Sequence, residues 1–149
     1  MKRFLFVFLW LSLLASCGTP LKSGDAANAQ RPDYKISGTS STGALALERL
    51  ELAFASGEKS LTVSRHSAIT AQANINFRGQ GVLQGRWRVN GQVVDQFNVP
   101  LHHGNRLTLS TARSTQFPTL DSGQYRIELE ILKPQPSFTL PHINYFVTH

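Results

Sequence analysis

Five histidines, a single cysteine and a scatter of carboxylates are the side chains in this 149-residue sequence with chemistry to offer. His102 and His103 adjoin in the segment after Pro100, where His66 or His142 could join them around a metal ion. That arrangement would make a small-ligand or metal carrier, the alternative reading of the chain. Neighbouring residues on an extended chain point to opposite sides, so the pair is a poor chelator of one ion and a His-x-His spacing would serve better. Solvated loop histidines are the expectation, with no metal site. Asp95 and Glu128 could be imagined as paired carboxylates, but both lie in runs with cationic neighbours. The sequence contains no G-x-S-x-G, no H-E-x-x-H and no glycine-rich phosphate loop. Gly79-Gln80-Gly81 lacks the third glycine and the following helix, and reads as a turn. The chain is therefore not expected to be an enzyme, and no catalytic residue or cofactor is assigned.

Cys17 has a different context. Lys2 and Arg3 precede an apolar run from Phe4 to Leu14 that only Ser12 interrupts. A bilayer-spanning helix needs about 20 apolar residues, so this run is too short to span. It matches the ~7–15-residue apolar region of a secretory signal peptide. The tetrapeptide Leu14-Ala15-Ser16-Cys17 then resembles the lipobox of bacterial lipoproteins. The resemblance implies that Cys17 receives a diacylglyceryl thioether, that residues 1–16 are removed as signal peptide, and that Cys17 becomes an acylated N-terminus. Two or three acyl chains, each buried methylene contributing ~0.8 kcal/mol, would hold the chain on a membrane stably. Gly18 follows the cysteine, and in lipoproteins of enteric bacteria an Asp there favours inner-membrane retention; the resemblance thus points to the outer membrane. A lone cysteine forms no intramolecular disulfide, so the domain must be stable without one.

The formal charge of +6 includes Lys2 and Arg3, and the cations that remain are interleaved with Gln, Asn and Thr instead of forming a basic run. Weak attraction to anionic lipid or polysaccharide is compatible with this, whereas nucleic acid is not an expected partner. Residues 18–43 are rich in Gly, Ser, Thr, Asn, Ala and Pro with few large apolar side chains, which predicts a flexible tether from the lipidated residue, 17–43 in all. Tyr34 and Ile36 are the two residues in it that could dock locally.

From residue 44 to 149 the pattern is one of short segments with a period of two, separated by turn signals. Ala46, Glu48, Leu50, Leu52 and Phe54 alternate with Leu47, Arg49, Glu51, Ala53 and Ala55, although ALALERLELAFA also contains good helix formers. The segments downstream decide for strands. Ile69, Ala71, Ala73, Ile75 and Phe77 line one face of a strand; Leu83, Gly85, Trp87 and Val89 line the next. Asn90-Gly91 between two such runs predicts a two-residue type I′ hairpin. Without a bulge, that hairpin pairs Arg86 with Asp95 and Trp87 with Val94, and points Val93 and Phe97 outward. Further strands are expected around Leu107 and Leu109, from Tyr125 to Ile131, and from His142 to Thr148.

Seven or eight strands in this length suit a β-sandwich. Asp121-Ser122-Gly123-Gln124-Tyr125-Arg126-Ile127 resembles the D-x-G-x-Y-x-C of strand F in immunoglobulin domains, with Ile127 in the cysteine position. RWRVNGQVV and SGQYRIELEI also resemble strands of bacterial cell-adhesion-related domains built on this sandwich. The resemblance implies an all-β immunoglobulin-like fold with Trp87 on strand C, Ala73 or Ile75 in the strand-B cysteine position, and Tyr125 as the tyrosine-corner residue. It also places strand F beside strand C, so that Glu128 and Glu130 can partner Arg86 and Arg88. The expected function is that of a non-catalytic binding or scaffolding module, anchored to the membrane by its lipid and accessory to a larger envelope or secretion assembly. The candidate partner surface is Arg86, Arg88, Val93 and Phe97, for an envelope protein.

Overall fold

The computed structural model describes residues 33–112 and 115–149. Nine strands form two sheets: β1 (Asp33–Ser37), β2 (Ala46–Phe54), β3 (Ser60–Ser64), β4 (Ala71–Arg78), β5 (Gly81–Val89), β6 (Gln92–Leu101), β7 (Arg106–Ser110), β8 (Gly123–Lys133) and β9 (His142–Thr148). One sheet has the order β1-β7-β4-β2 and the other β3-β9-β8-β5-β6. With β4, β5, β7, β8 and β9 as strands B, C, E, F and G, this is the immunoglobulin arrangement, and β6 is C′. The first strand of the domain proper is split between the sheets: β2 pairs antiparallel with β4, and β3 pairs parallel with β9.

Alternation builds this core. Ala71, Ala73, Ile75 and Phe77 of β4 face Leu83, Trp87 and Val89 of β5 and Ile127 and Leu129 of β8 across the two sheets, all buried. Trp87 sits on strand C, 1% exposed. Tyr125 makes the tyrosine corner, its hydroxyl donating to the Asp121 carbonyl at 3.0 Å. Its ring stacks on Tyr145 at 4.9 Å, and Tyr145 is the fully buried member of the pair, donating to the Pro118 carbonyl at 2.8 Å. Burial, and secondarily Tyr125, pushes the Tyr145 phenol above its usual range, so it stays a donor.

Three expectations are corrected. The sandwich includes Asp33–Ser37, ahead of the expected start at residue 44. β1 pairs with β7 at the sheet edge where strand D would lie, and Ile36 packs on the core. The segment that follows is strapped across one end of the sandwich. Ser41 Oγ accepts from Gly79 N at 2.7 Å, Ser40 Oγ accepts from Gly104 N at 2.9 Å, and Gln80 N donates to the Gly43 carbonyl at 2.9 Å. Composition misled here because polar residues can be ordered by backbone hydrogen bonds without burying much apolar surface. Among the described residues the strands accordingly number nine.

The second correction is in β2, where the register slips between Leu47 and Arg49. The extra residue lets Leu47 and Leu50, three apart, both point inward.

The third is the hairpin register. Asn90 and Gly91 have the positive φ values (47° and 84°) of a type I′ turn, and Val89 pairs with Gln92 and Arg88 with Val93. Beyond that, Trp87 pairs with Asp95, Arg86 with Gln96 and Gly85 with Phe97, so Val94 is the extra residue of a bulge. The bulge turns Phe97, Val99 and Leu101 inward, all 5% exposed or less. Burying each contributes roughly 1.5–3 kcal/mol, which outweighs the one or two ladder bonds of ~1 kcal/mol that a bulge forgoes.

Candidate functional site

The outward face of β5, β6 and β8 is where the sequence places a partner surface, and its geometry follows from the ladder. Arg86 and Arg88 alternate with the buried Trp87, so both guanidinium groups lie on the outside. β8 runs antiparallel beside β5 and sets Glu130 opposite Arg86 and Glu128 opposite Arg88. Both arginines converge on Glu130: Arg86 Nε and Nη2 donate to its two carboxylate oxygens at 2.8 and 3.1 Å, and Arg88 Nη1 donates to one of them at 3.1 Å. Arg88 also donates to the Gly91 carbonyl through Nε and Nη2, at 3.0 and 2.6 Å, which ties the hairpin turn to the cluster. Glu128 instead pairs along its own strand with Arg126 at 2.8 Å. The Arg86 hydrogen bonds, with the charges of both arginines, hold the Glu130 carboxyl below the usual carboxylate range, while Glu130 raises Arg86.

The structure thus brings together Arg86, Arg88 and Val93 of the expected partner surface. Val93 is 42% exposed and pairs with Arg88 beside the turn. Phe97 does not belong to that surface. Its ring lies in the core against Gly85, where a Cβ would collide with it and would come within 2.6 Å of the Glu130 carbonyl. Asp95, expected opposite Arg86, pairs with Trp87 instead, so the same bulge turns it toward the inner side of the edge strand. Its Oδ2 accepts from Thr115 Oγ1 at 2.7 Å and Ala112 N at 3.2 Å, pinning β6 to the segment after β7. Sequence reasoning missed Asp95 as an inter-sheet pin. The available signal was the common parity of Phe97, Val99 and Leu101, which cannot all face water.

Beside the arginine cluster a shallow groove of about 190 Å³ runs between Arg88, Arg126 and Glu128 on one side and Leu140, Pro141 and His142 on the other. His142 opens β9 and stands opposite Glu128. His66 lies in the β3–β4 loop, with a left-handed φ of 63°, and His102 and His103 are exposed in the β6–β7 loop at the other end of the sandwich. These four histidines lie at three separate places, and among the described residues no group of three or more His, Cys, Asp or Glu side chains could hold a metal ion. Cys17 and the rest of residues 1–32 lie outside the described residues. Among those described, no helix is long and apolar enough to cross a membrane.

No protein-family model and no curated protein matches the sequence. Among solved structures, the chain is similar to the CARDB domain of a Pyrococcus furiosus protein, crystallised in complex with di-metal ions, at a TM-score of 0.49 and 12% identity over 79% of this chain and 94% of that one. The metal ions are that protein's.

Proposed function

We propose that this chain is a lipid-anchored protein of the bacterial cell envelope, attached through Cys17 and favouring the outer membrane. In this reading it is a non-catalytic module that binds an envelope protein partner through the outward face of β5, β6 and β8. The observation that carries the reading is the convergence of Arg86 and Arg88 on Glu130, next to the exposed Val93. Two guanidinium groups fixed in place before binding lose little side-chain freedom on docking, which is where much of the cost of association otherwise lies. Arginine is among the residue types enriched at binding hot spots. An apolar side chain beside it supplies area that a partner can dry. The carboxylates on this face are engaged by arginines of the same face, an arrangement suited to recognition more than to proton transfer.

A photo-crosslinking residue at position 93 tests the reading in intact cells. The expected result is an adduct with one envelope protein, lowered about tenfold by Arg88→Ala at a temperature where the variant stays folded, a loss corresponding to roughly 1.4 kcal/mol. Absence of any protein adduct would overturn it. Mass spectrometry of the N-terminal peptide tests the anchor independently, and an unmodified Cys17 would remove it.

A further inference from the structure

The opposite face of the molecule, the outside of β1-β7-β4-β2, has a composition that the fold does not demand. The registers align it in rows that cross four strands. Glu51, Asn74, Thr108 and Lys35 form one row, and Arg49, Asn76, Arg106 and Ser37 the next. Ala53, Gln72, Ser110 and Asp33 form a third. Neighbouring positions in a row are about 5 Å apart and the rows about 7 Å apart. The middle of this array is a depression of about 420 Å³ lined by Arg49, Glu51, Asn74, Asn76, Arg106 and Thr108.

Three properties narrow what would occupy it. First, Asn74 and Asn76 stand at consecutive outward positions of β4, an interior strand, although Asn is depleted in strands and Thr or Val would stabilise that position better. Local rules are broken in this way chiefly at functional sites. Second, the array has no aromatic residue and no aliphatic one larger than Ala, so it lacks the apolar anchors of a protein–protein interface. What it offers instead is amides and hydroxyls, each able both to donate and to accept; Thr108 Oγ1 already donates to Asn74 Oδ1 at 3.0 Å. Hydroxyl-rich ligands match that mixture. Third, the charge is positive where it is uncommitted. Arg49 pairs with Glu51, but among the described residues Lys35, Arg78 and Arg106 form no ion pair. Of the remaining acids, Asp33 opens β1 and Glu48 is the extra residue of the β2 bulge beside Arg49, both on edge strands.

We infer that this face is a binding platform for an anionic polysaccharide. Arg106, at the centre of the second row, meets the acidic groups, and Asn74, Asn76 and Thr108 read the sugar hydroxyls. The platform is on the other sheet from the Arg86–Arg88 surface, so either can fail without the other.

The test uses the protein as purified from its host in polyoxyethylene detergent, titrated with oligomers of mannuronate, with dextran oligomers of equal length, and with polyglutamate of equal charge. The inference expects mannuronate to bind about tenfold more tightly than either control. Arg106→Gln should weaken mannuronate binding about tenfold, the effect of losing a charge-assisted hydrogen bond. Asn76→Thr, which changes no charge and suits a strand, should weaken it severalfold without lowering the melting temperature. Lys133→Gln, a cation removed at the end of the other sheet, should change it less than about twofold, because an exposed distant charge is largely screened. Polyglutamate binding as well as mannuronate would reduce the site to its charge and overturn the inference, as would dextran binding equally well. A Lys133→Gln loss equal to that of Arg106→Gln, or no mannuronate binding at all, would do the same.

Discussion

Replacing Phe97 by alanine probes the feature on which the hairpin register turns. In the bulged register the ring is 5% exposed and packs on Gly85 beneath the neighbouring strand. Truncating a buried Phe costs about 3–5 kcal/mol, the lost transfer energy together with the cavity left behind. A small domain holds only ~5–15 kcal/mol in total, and at this size the loss should lower the melting temperature by on the order of 10–20 °C. Chemical denaturation of the 33–149 fragment, followed by Trp87 fluorescence, measures it. Asp95→Ala supplies a second reading of the same geometry. With the bulge, the carboxylate is bonded to Thr115 and Ala112 N, and its loss should cost about 1–3 kcal/mol. Without the bulge, Asp95 would be an exposed partner of Arg86, worth ~0–1 kcal/mol. If Phe97→Ala and Asp95→Ala both stay within about 1 kcal/mol of the parent, Val94 is not a bulge residue and the ring lies on the surface.

Trp87→Ala should cost a further ~3–5 kcal/mol for the same reason, and Tyr125→Phe, which removes only the bond to the Asp121 carbonyl, about 0.5–1.5 kcal/mol, both read by urea denaturation. A 44–149 fragment, lacking β1 and the strap over the Gly79 and Gly104 turns, should be less stable than 33–149 by at least about 2 kcal/mol. The Glu130 carboxyl is held below its usual range, so the stability from its pairing is fully present above the unfolded carboxylate pKa and is lost as pH falls through the lower folded value. The parent should therefore exceed Glu130→Gln in urea midpoint at pH 7, and the gap should close on acidification below about pH 4.

Strand identities were legible because the buried faces are written in period two. β4 reads inside-outside without a break, β8 does so from Tyr125 to Ile131, and the turn between β5 and β6 is named by Asn90-Gly91. What was not legible was every place where an extra residue shifts the parity. Leu47 and Leu50 in β2, and Val93 and Phe97 in β6, cannot be assigned to faces from a strict alternation, because a bulge is decided by how much apolar area the shifted register buries. The same limit applies to the candidate surface. Arg86 and Arg88 flank Trp87 and were placed outward by that residue alone, but their joint use of Glu130 depends on a side-chain choice that register leaves open between Glu128 and Glu130. The aromatic stack was half visible: the D-x-G-x-Y spacing marks Tyr125, while nothing in HINYFVT distinguishes the buried Tyr145 from the exposed Phe146 except its parity.

The position of β1 bears on how both outward faces could work from a membrane anchor. Asp33 pairs with Ser110, the last residue of β7, so β1 starts at one end of the strands. That end carries the β3–β4 loop, the Asn90-Gly91 turn and the start of β8; the strap and the His102–His103 loop occupy the other. From Cys17 to Asp33 a fully extended chain reaches at most roughly 55 Å, far less than a tether running to residue 43 would. If Cys17 carries the proposed lipid, that length limits how far β1 can stand from the bilayer. The sheet faces run alongside the strand axis, with the arginine cluster on β5 and β8 and the amide array on β4 and β7 on opposite sides of the sandwich. Because the two proposed surfaces lie on different sheets, a protein on one and an acidic glycan on the other do not compete for the same side chains.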